Sequence, residues 1–111
     1  MYAQRRDINE PEIVDALRSV GAYVQQMDKS AGFDLLVGYA SRYFFGWRWY
    51  IIEVKNTNGK QATREQLEKM LTKNERDTMQ LIQAAGGEYH IVTGAAAALA
   101  VVGISTGEQN G

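Results

Sequence analysis

Three side chains in this 111-residue chain have the types and spacing to act on a phosphate ester: Asp34, Glu53 and Lys55. Glu53 and Lys55 lie two apart in Arg48–Lys55, a run whose Trp49, Tyr50, Ile51, Ile52 and Val54 favour a strand. A strand has a side-chain period of two, so both project from one face. Asp34 stands near the start of a second β-prone run, Phe33–Tyr39. If the two runs pair as an antiparallel hairpin, the start of one faces the end of the other, and Asp34 comes beside Glu53 and Lys55. The apolar neighbours of Glu53 imply a covered strand, where an unpaired ionised carboxylate is costly. Two carboxylates at close range repel unless a cation lies between them. A hard divalent ion such as Mg²⁺ takes oxygen ligands from one or two carboxylates, keeps several waters and can bind phosphate. Lys55 could then orient or help deprotonate an attacking water, or neutralise charge building on phosphorus. The plainer alternative is a Glu-X-Lys surface ion pair, worth about 0–1 kcal/mol.

Composition narrows the rest. With no Cys, a disulfide scaffold, a thiolate zinc site and a Cys nucleophile are excluded. With one His, His90, a site built on several imidazoles is excluded as well. No apolar run approaches the roughly 20 residues that span a bilayer, and Met1 to Glu10 is polar and charged, without an apolar signal core. The expectation is a reduced, intracellular, cytoplasmic protein with no membrane association and no organic cofactor. Twelve Lys and Arg against thirteen Asp and Glu leave a net charge of −1, so no global basic field announces a nucleic-acid partner. Locally the balance differs. Residues 35–64 carry five basic side chains (Arg42, Arg48, Lys55, Lys60 and Arg64) against one acid, Glu53.

The elements that must position these groups follow from pattern. Glu10-Pro11-Glu12 opens a helix, with Ile13, Val14, Leu17 and Val20 near helical spacing and Gly21 as its stop. Strands are predicted over Ala22–Met27, Phe33–Tyr39 and Arg48–Lys55, with turn chemistry at residues 28–32. A short helix is expected within Gln61–Leu71. Thr72 and Glu75 have capping-box spacing at the head of a helix carrying Met79, Leu81, Ile82 and Ala85. Glu88–Thr93 reads as a strand, Gly94–Val102 as a small Ala-rich helix, and 103–111 as a flexible tail. The order predicts one α/β domain over 1–111, with helices packed on the faces of a small sheet.

Read together, these pieces resemble the PD-(D/E)XK nuclease superfamily, and within it the stand-alone VRR-NUC type. The resemblance rests on Asn9-Glu10-Pro11-Glu12-Ile13-Val14, Gly32-Phe33-Asp34-Leu35-Leu36-Val37-Gly38, Ile52-Glu53-Val54-Lys55, Leu71-Thr72-Lys73-Asn74-Glu75 and Gly86-Gly87-Glu88-Tyr89-His90-Ile91-Val92, in that order, over residues 9 to 102. Phe33 stands where the family usually has Pro, and the span from Asn56 to about Leu71 is longer than in compact members. The resemblance implies a restriction-endonuclease-like αβββαβ core, a small mixed sheet flanked by helices. It implies Asp34 and Glu53 as ligands of Mg²⁺ or Mn²⁺, with the backbone carbonyl of Val54 as a further ligand. Glu12 would reach the metal or its waters from the first helix, and Lys55 would be the catalytic base or transition-state stabiliser. The implied substrate is DNA, with branched forms such as four-way junctions included. The implied assembly is a homodimer, and such genes are often carried by phages or prophages.

Arg42, Arg48, Lys60 and Arg64 interleave with Tyr43, Phe44, Trp47 and Trp49, a pattern able to hold phosphates and stack bases. Trp49 and Phe44 are read here as core or dimer contacts. Trp47 and Tyr43 are candidate dimer anchors, and His90 is read as a structural hydrogen-bonding residue. The competing function is a non-catalytic DNA-binding or assembly module that keeps the fold. The discriminating feature is whether Glu12, Asp34, Glu53 and Lys55 all converge; a Lys55 that points into solvent, away from both acids, favours the binding module.

Overall fold

The computed structural model describes residues 7–41 and 46–105. Arg42, Tyr43 and Phe44, and residues 106–111 of the expected tail, lie outside the described residues. The element order is α1 (Glu10–Ser19), β1 (Tyr23–Gln26), β2 (Leu35–Ala40), β3 (Trp47–Val54), α2 (Arg64–Lys69), α3 (Lys73–Ala84), β4 (Tyr89–Val92) and α4 (Ala95–Val101). The four strands form one mixed sheet in chain order, with β1, β2 and β3 antiparallel and β4 parallel to β3.

Helices cover both faces of this sheet. On one face, Ile13, Val14 and Leu17 of α1 and Ala98 of α4 pack on Val24, Val37, Ile52, Val54 and Val92. Each fully buried aliphatic side chain of this kind contributes roughly 1.5–3 kcal/mol. The run of alanines in α4 lets that helix lie close to the sheet. On the other face, Leu67, Leu71 and Met79 from α2, the α2–α3 link and α3 pack on Tyr89 and Ile91, with Ile51 beside them. The helix starts are set locally. Pro11 occupies the first turn of α1. Thr63–Gln66 and Thr72–Glu75 each close a full capping box.

The start of β2 and the placement of Trp49 differ from the sequence expectation. β2 starts at Leu35 rather than Phe33. A 3-10 turn at Lys29–Ala31, capped by Asp28, ends at Gly32 with φ +81°, and the chain enters the sheet only after that bend. Trp49 is not in the core: it is 56% exposed. β4 begins opposite Ile51, so residues 47–50 of β3 run past it with one edge uncovered.

Gly32 joins a left-handed backbone to close packing. A Cβ there would run into the Thr78 side chain of α3, and its carbonyl accepts the buried Tyr89 hydroxyl at 2.7 Å. Gly86 has a similar φ of +91°, but open space where its Cβ would be. Gly32→Ala is therefore expected to lower stability by about 2–4 kcal/mol, against about 1 kcal/mol for Gly86→Ala. Urea unfolding of the two variants beside the parent checks the order.

Candidate functional site

The β2–β3 register places Leu35 opposite Ile52. Asp34 precedes β2 in the bend after Gly32; its N–H donates to the Ile52 carbonyl at 3.2 Å, and its charge acts on Glu53. Both side chains project from the sheet face that α2 and α3 partly cover, the face that also carries Ile51 and Ile91. Asp34 Oδ2 accepts the Val54 N–H at 2.8 Å, so a carboxylate takes the place of a ladder carbonyl at the strand end. In an antiparallel pair a residue turns its N–H and C=O to the same neighbour, which directs the Val54 carbonyl to the Asp34 side as well.

Glu53 is 1% exposed, and its Oε1 has no hydrogen-bond partner. Its Oε2 lies 3.3 Å from Lys55 Nζ, which is also 2.9 Å from Glu75 Oε1. Glu75 Oε1 in addition accepts the Thr72 N–H at 2.9 Å. One oxygen thus caps α3 and holds the lysine. These groups line a polar cleft of about 120 Å³, together with Asp7 and Lys29.

The electrostatics record this crowding. The Glu53 carboxyl is pushed up to about 9, first by burial and then by the charges of Asp34 and Glu75, against the pull of Lys55. Burial also raises Asp34, with Glu10 and Glu75 adding to it and the Val54 N–H opposing it. Burial alone would lower Lys55, but its hydrogen bond to Glu75 and the charge of Glu53 outweigh burial and hold it above its ordinary value. Burial acts to raise Glu75, and the Thr72 N–H and Lys55 hold it below the usual carboxylate range.

Asp34, Glu53 and Lys55 therefore converge, and Glu12 does not join them. Glu12 lies on the exposed side of α1. A helix advances about 100° per residue, so Glu12 sits about 200° round from Glu10, and the inward face runs Glu10, Ile13, Val14, Leu17. Glu10 is the acid brought in. It is 1% exposed, and its Oε2 accepts the Gln26 amide at 2.9 Å. Asn9 fixes that helix end by donating to the carbonyls of Lys55 and Thr93, at 3.1 and 2.9 Å. Glu10 could have been found by extending the apolar face of α1 back one turn. Glu75 was visible only as a capping residue, and Lys29 gave no signal.

The basic set stays outside the cleft. Arg48 projects from the opposite face of β3, Lys60 is exposed in the turn after it, and Arg64 pairs with Glu68 at 2.8 Å. His90 faces Glu88 at 3.2 Å, and burial lowers its pKa. Among the described residues, no three Asp, Glu, His or Cys side chains form a ready-made metal cage. A magnesium-type ion needs less than that: two carboxylates, a carbonyl and waters suffice. The unpartnered Glu53 oxygen, in a carboxyl group that feels the charge of Asp34, fits such an ion. Compared with known protein families, with curated proteins and with solved structures, the chain finds no match. Among the described residues, no helix is long and apolar enough to cross a membrane.

An acid whose pKa is raised by folding favours the fold only while protonated. Its contribution is whole below the ordinary value of 4.5 and is lost as pH rises through about 9. Glu53→Gln cannot ionise, so it is expected to exceed the parent in stability by on the order of 3 kcal/mol at neutral pH and above. The gap should close towards about pH 4. Thermal unfolding across that range, without divalent ions, measures it.

Proposed function

We propose that this chain is a divalent-metal-dependent DNA endonuclease of the PD-(D/E)XK type. The observation that carries the reading is the buried Glu53, with one oxygen unpartnered, under the charge of Asp34 and 3.3 Å from Lys55. The order αβββ, helices, β with a mixed sheet agrees with a restriction-endonuclease-like core. The inward turn of Lys55, whose side chain is 14% exposed, favours a catalytic site over a binding module that merely keeps the fold.

Asp34, Glu53 and the Val54 carbonyl would hold Mg²⁺ or Mn²⁺, with Glu10 near enough to affect Asp34 by its charge. When bound, the ion supplies a Lewis acid at a phosphate oxygen and a more acidic water. The protein's part is positioning and charge. Glu53 is set by the pairing of β3 with β4, and Asp34 by its hydrogen bonds to Ile52 and Val54. Lys55, held by two carboxylates, presents a positive charge to the phosphate, where negative charge grows during attack. This assigns Lys55 to charge stabilisation rather than to proton abstraction.

Incubation with labelled four-way junctions, duplex and single strands, with and without Mg²⁺ or Mn²⁺, tests the reading. Metal-dependent cleavage is expected. Asp34→Asn, Glu53→Gln and Lys55→Ala should each reduce it roughly 10²–10⁴-fold while the variants remain folded. Cleavage of no DNA form with either ion would overturn the assignment. Glu75 adds a finer check. Glu75→Gln keeps an acceptor for the Thr72 N–H and should keep the melting temperature within a few degrees, yet lose about 10-fold or more in turnover. Glu75→Ala should lose both turnover and about 1 kcal/mol of stability.

A further inference from the structure

Tyr23, Trp47 and Trp49 form an exposed aromatic cluster on the same sheet face as Asp34 and Glu53. Tyr23 pairs with Gly38, and Gly38 pairs with Trp49, so the three positions make one row across β1, β2 and β3. The rings of Tyr23 and Trp49 meet at 6.1 Å and 90°, and those of Trp47 and Trp49 at 5.4 Å and 78°. Trp47 lies over Gly38, where any Cβ would run into its ring. All three stay about half exposed: Tyr23 49%, Trp47 50% and Trp49 56%. Edge-to-face packing holds the rings upright against one another and leaves flat π surfaces open to solvent.

We propose that this row is a stacking platform for unpaired nucleobases of the DNA whose backbone is cut at the Asp34–Glu53 site. The choice of nucleic acid as occupant rests on the nuclease reading and on two features. Trp49 and Glu53 share one strand and one face, so a strand of DNA in the cleft runs over the platform without leaving the sheet. Four residues of β3 separate them, about 13 Å, or roughly four nucleotides at a stacked rise of 3.4 Å. Finally, half of three aromatic side chains offers on the order of 300 Å², well below the roughly 800 Å² per partner of a stable protein interface. The row is too small to be a dimer seam and large enough for one or two bases.

The chain's two tryptophans are both in this row, so intrinsic fluorescence reports on the platform directly. The full chain, in EDTA, is titrated with oligothymidylate of about ten nucleotides and with a duplex of equal length. Saturable quenching by the single strand is expected, with weaker quenching by the duplex. Trp49→Ala, read through Trp47, and Tyr23→Ala should each weaken oligothymidylate binding about 5- to 150-fold, the worth of one stacked base. Circular dichroism should show both variants folded, since the residues replaced are half exposed. In the cleavage assay, substrates with an unpaired tract about four nucleotides from the cut should be preferred, and Trp49→Ala should erase that preference. Metal-dependent cleavage without quenching overturns the platform and leaves the nuclease standing. Quenching without cleavage supports the platform and removes the nuclease. A concentration-dependent emission shift, with a dimer in sedimentation and no response to oligothymidylate, shows that a second copy covers the row and overturns the proposal.

Discussion

Two carboxyl groups crowded together at the end of a β-ladder govern the rest of this structure. Glu53 is almost wholly withdrawn from water, and Asp34 sits close enough for its charge to act on it. Neither can be ionised without cost to the other. Elsewhere in the core the same strand is lined with Ile52 and Val54, which meet no such conflict. The fold keeps a local electrostatic strain where an apolar pair would pack more stably, and surrounds it with a lysine, a helix cap and the end of α1. Natural sequences hold such arrangements where the strained groups have a task.

The surrounding elements show how the strain is contained. Backbone pairing of β3 fixes Glu53, and hydrogen bonds to Ile52 and Val54 fix Asp34 at the head of β2. β4, parallel to β3, covers the outer side of Glu53 through Ile91. α3 supplies Glu75, whose oxygen joins Lys55 to the cap at Thr72. α1 supplies Glu10, and the Asn9 amide anchors that helix end to two strand carbonyls. Asn9 makes no side-chain cap of its own helix, because its amide is committed across the sheet edge. Thus the site is assembled from five elements, β2, β3, β4, α3 and α1.

Much of this was legible in the sequence, and the illegible parts have physical causes. The Asp34–Glu53–Lys55 meeting follows from period-two alternation and antiparallel register, both strict rules. The α3 start follows from Thr72 and Glu75, a local hydrogen-bond pattern. Glu12 against Glu10 turned on helical phase, which the apolar residues Ile13, Val14 and Leu17 settle only when projected back to the helix's first residue. The capping box of α2 at Thr63 and Gln66 escaped because no apolar periodicity marks so short a helix. The exposure of Trp49 depends on where β4 begins, a tertiary fact that no local pattern in residues 47–50 encodes. The double service of Glu75 is of the same kind, since the partner, Lys55, is distant in sequence.

That double service ties readiness of the site to a small piece of local folding. The first turn of a helix opens and closes far more often than a protein unfolds. Each time the head of α3 loosens, the oxygen shared by Thr72 and Lys55 departs, and the amine loses its nearer anchor. The position of the lysine amine is thereby coupled to the first turn of α3. Whatever steadies that turn, a bound chain lying against α3 included, raises the fraction of molecules in which the lysine stands beside Glu53.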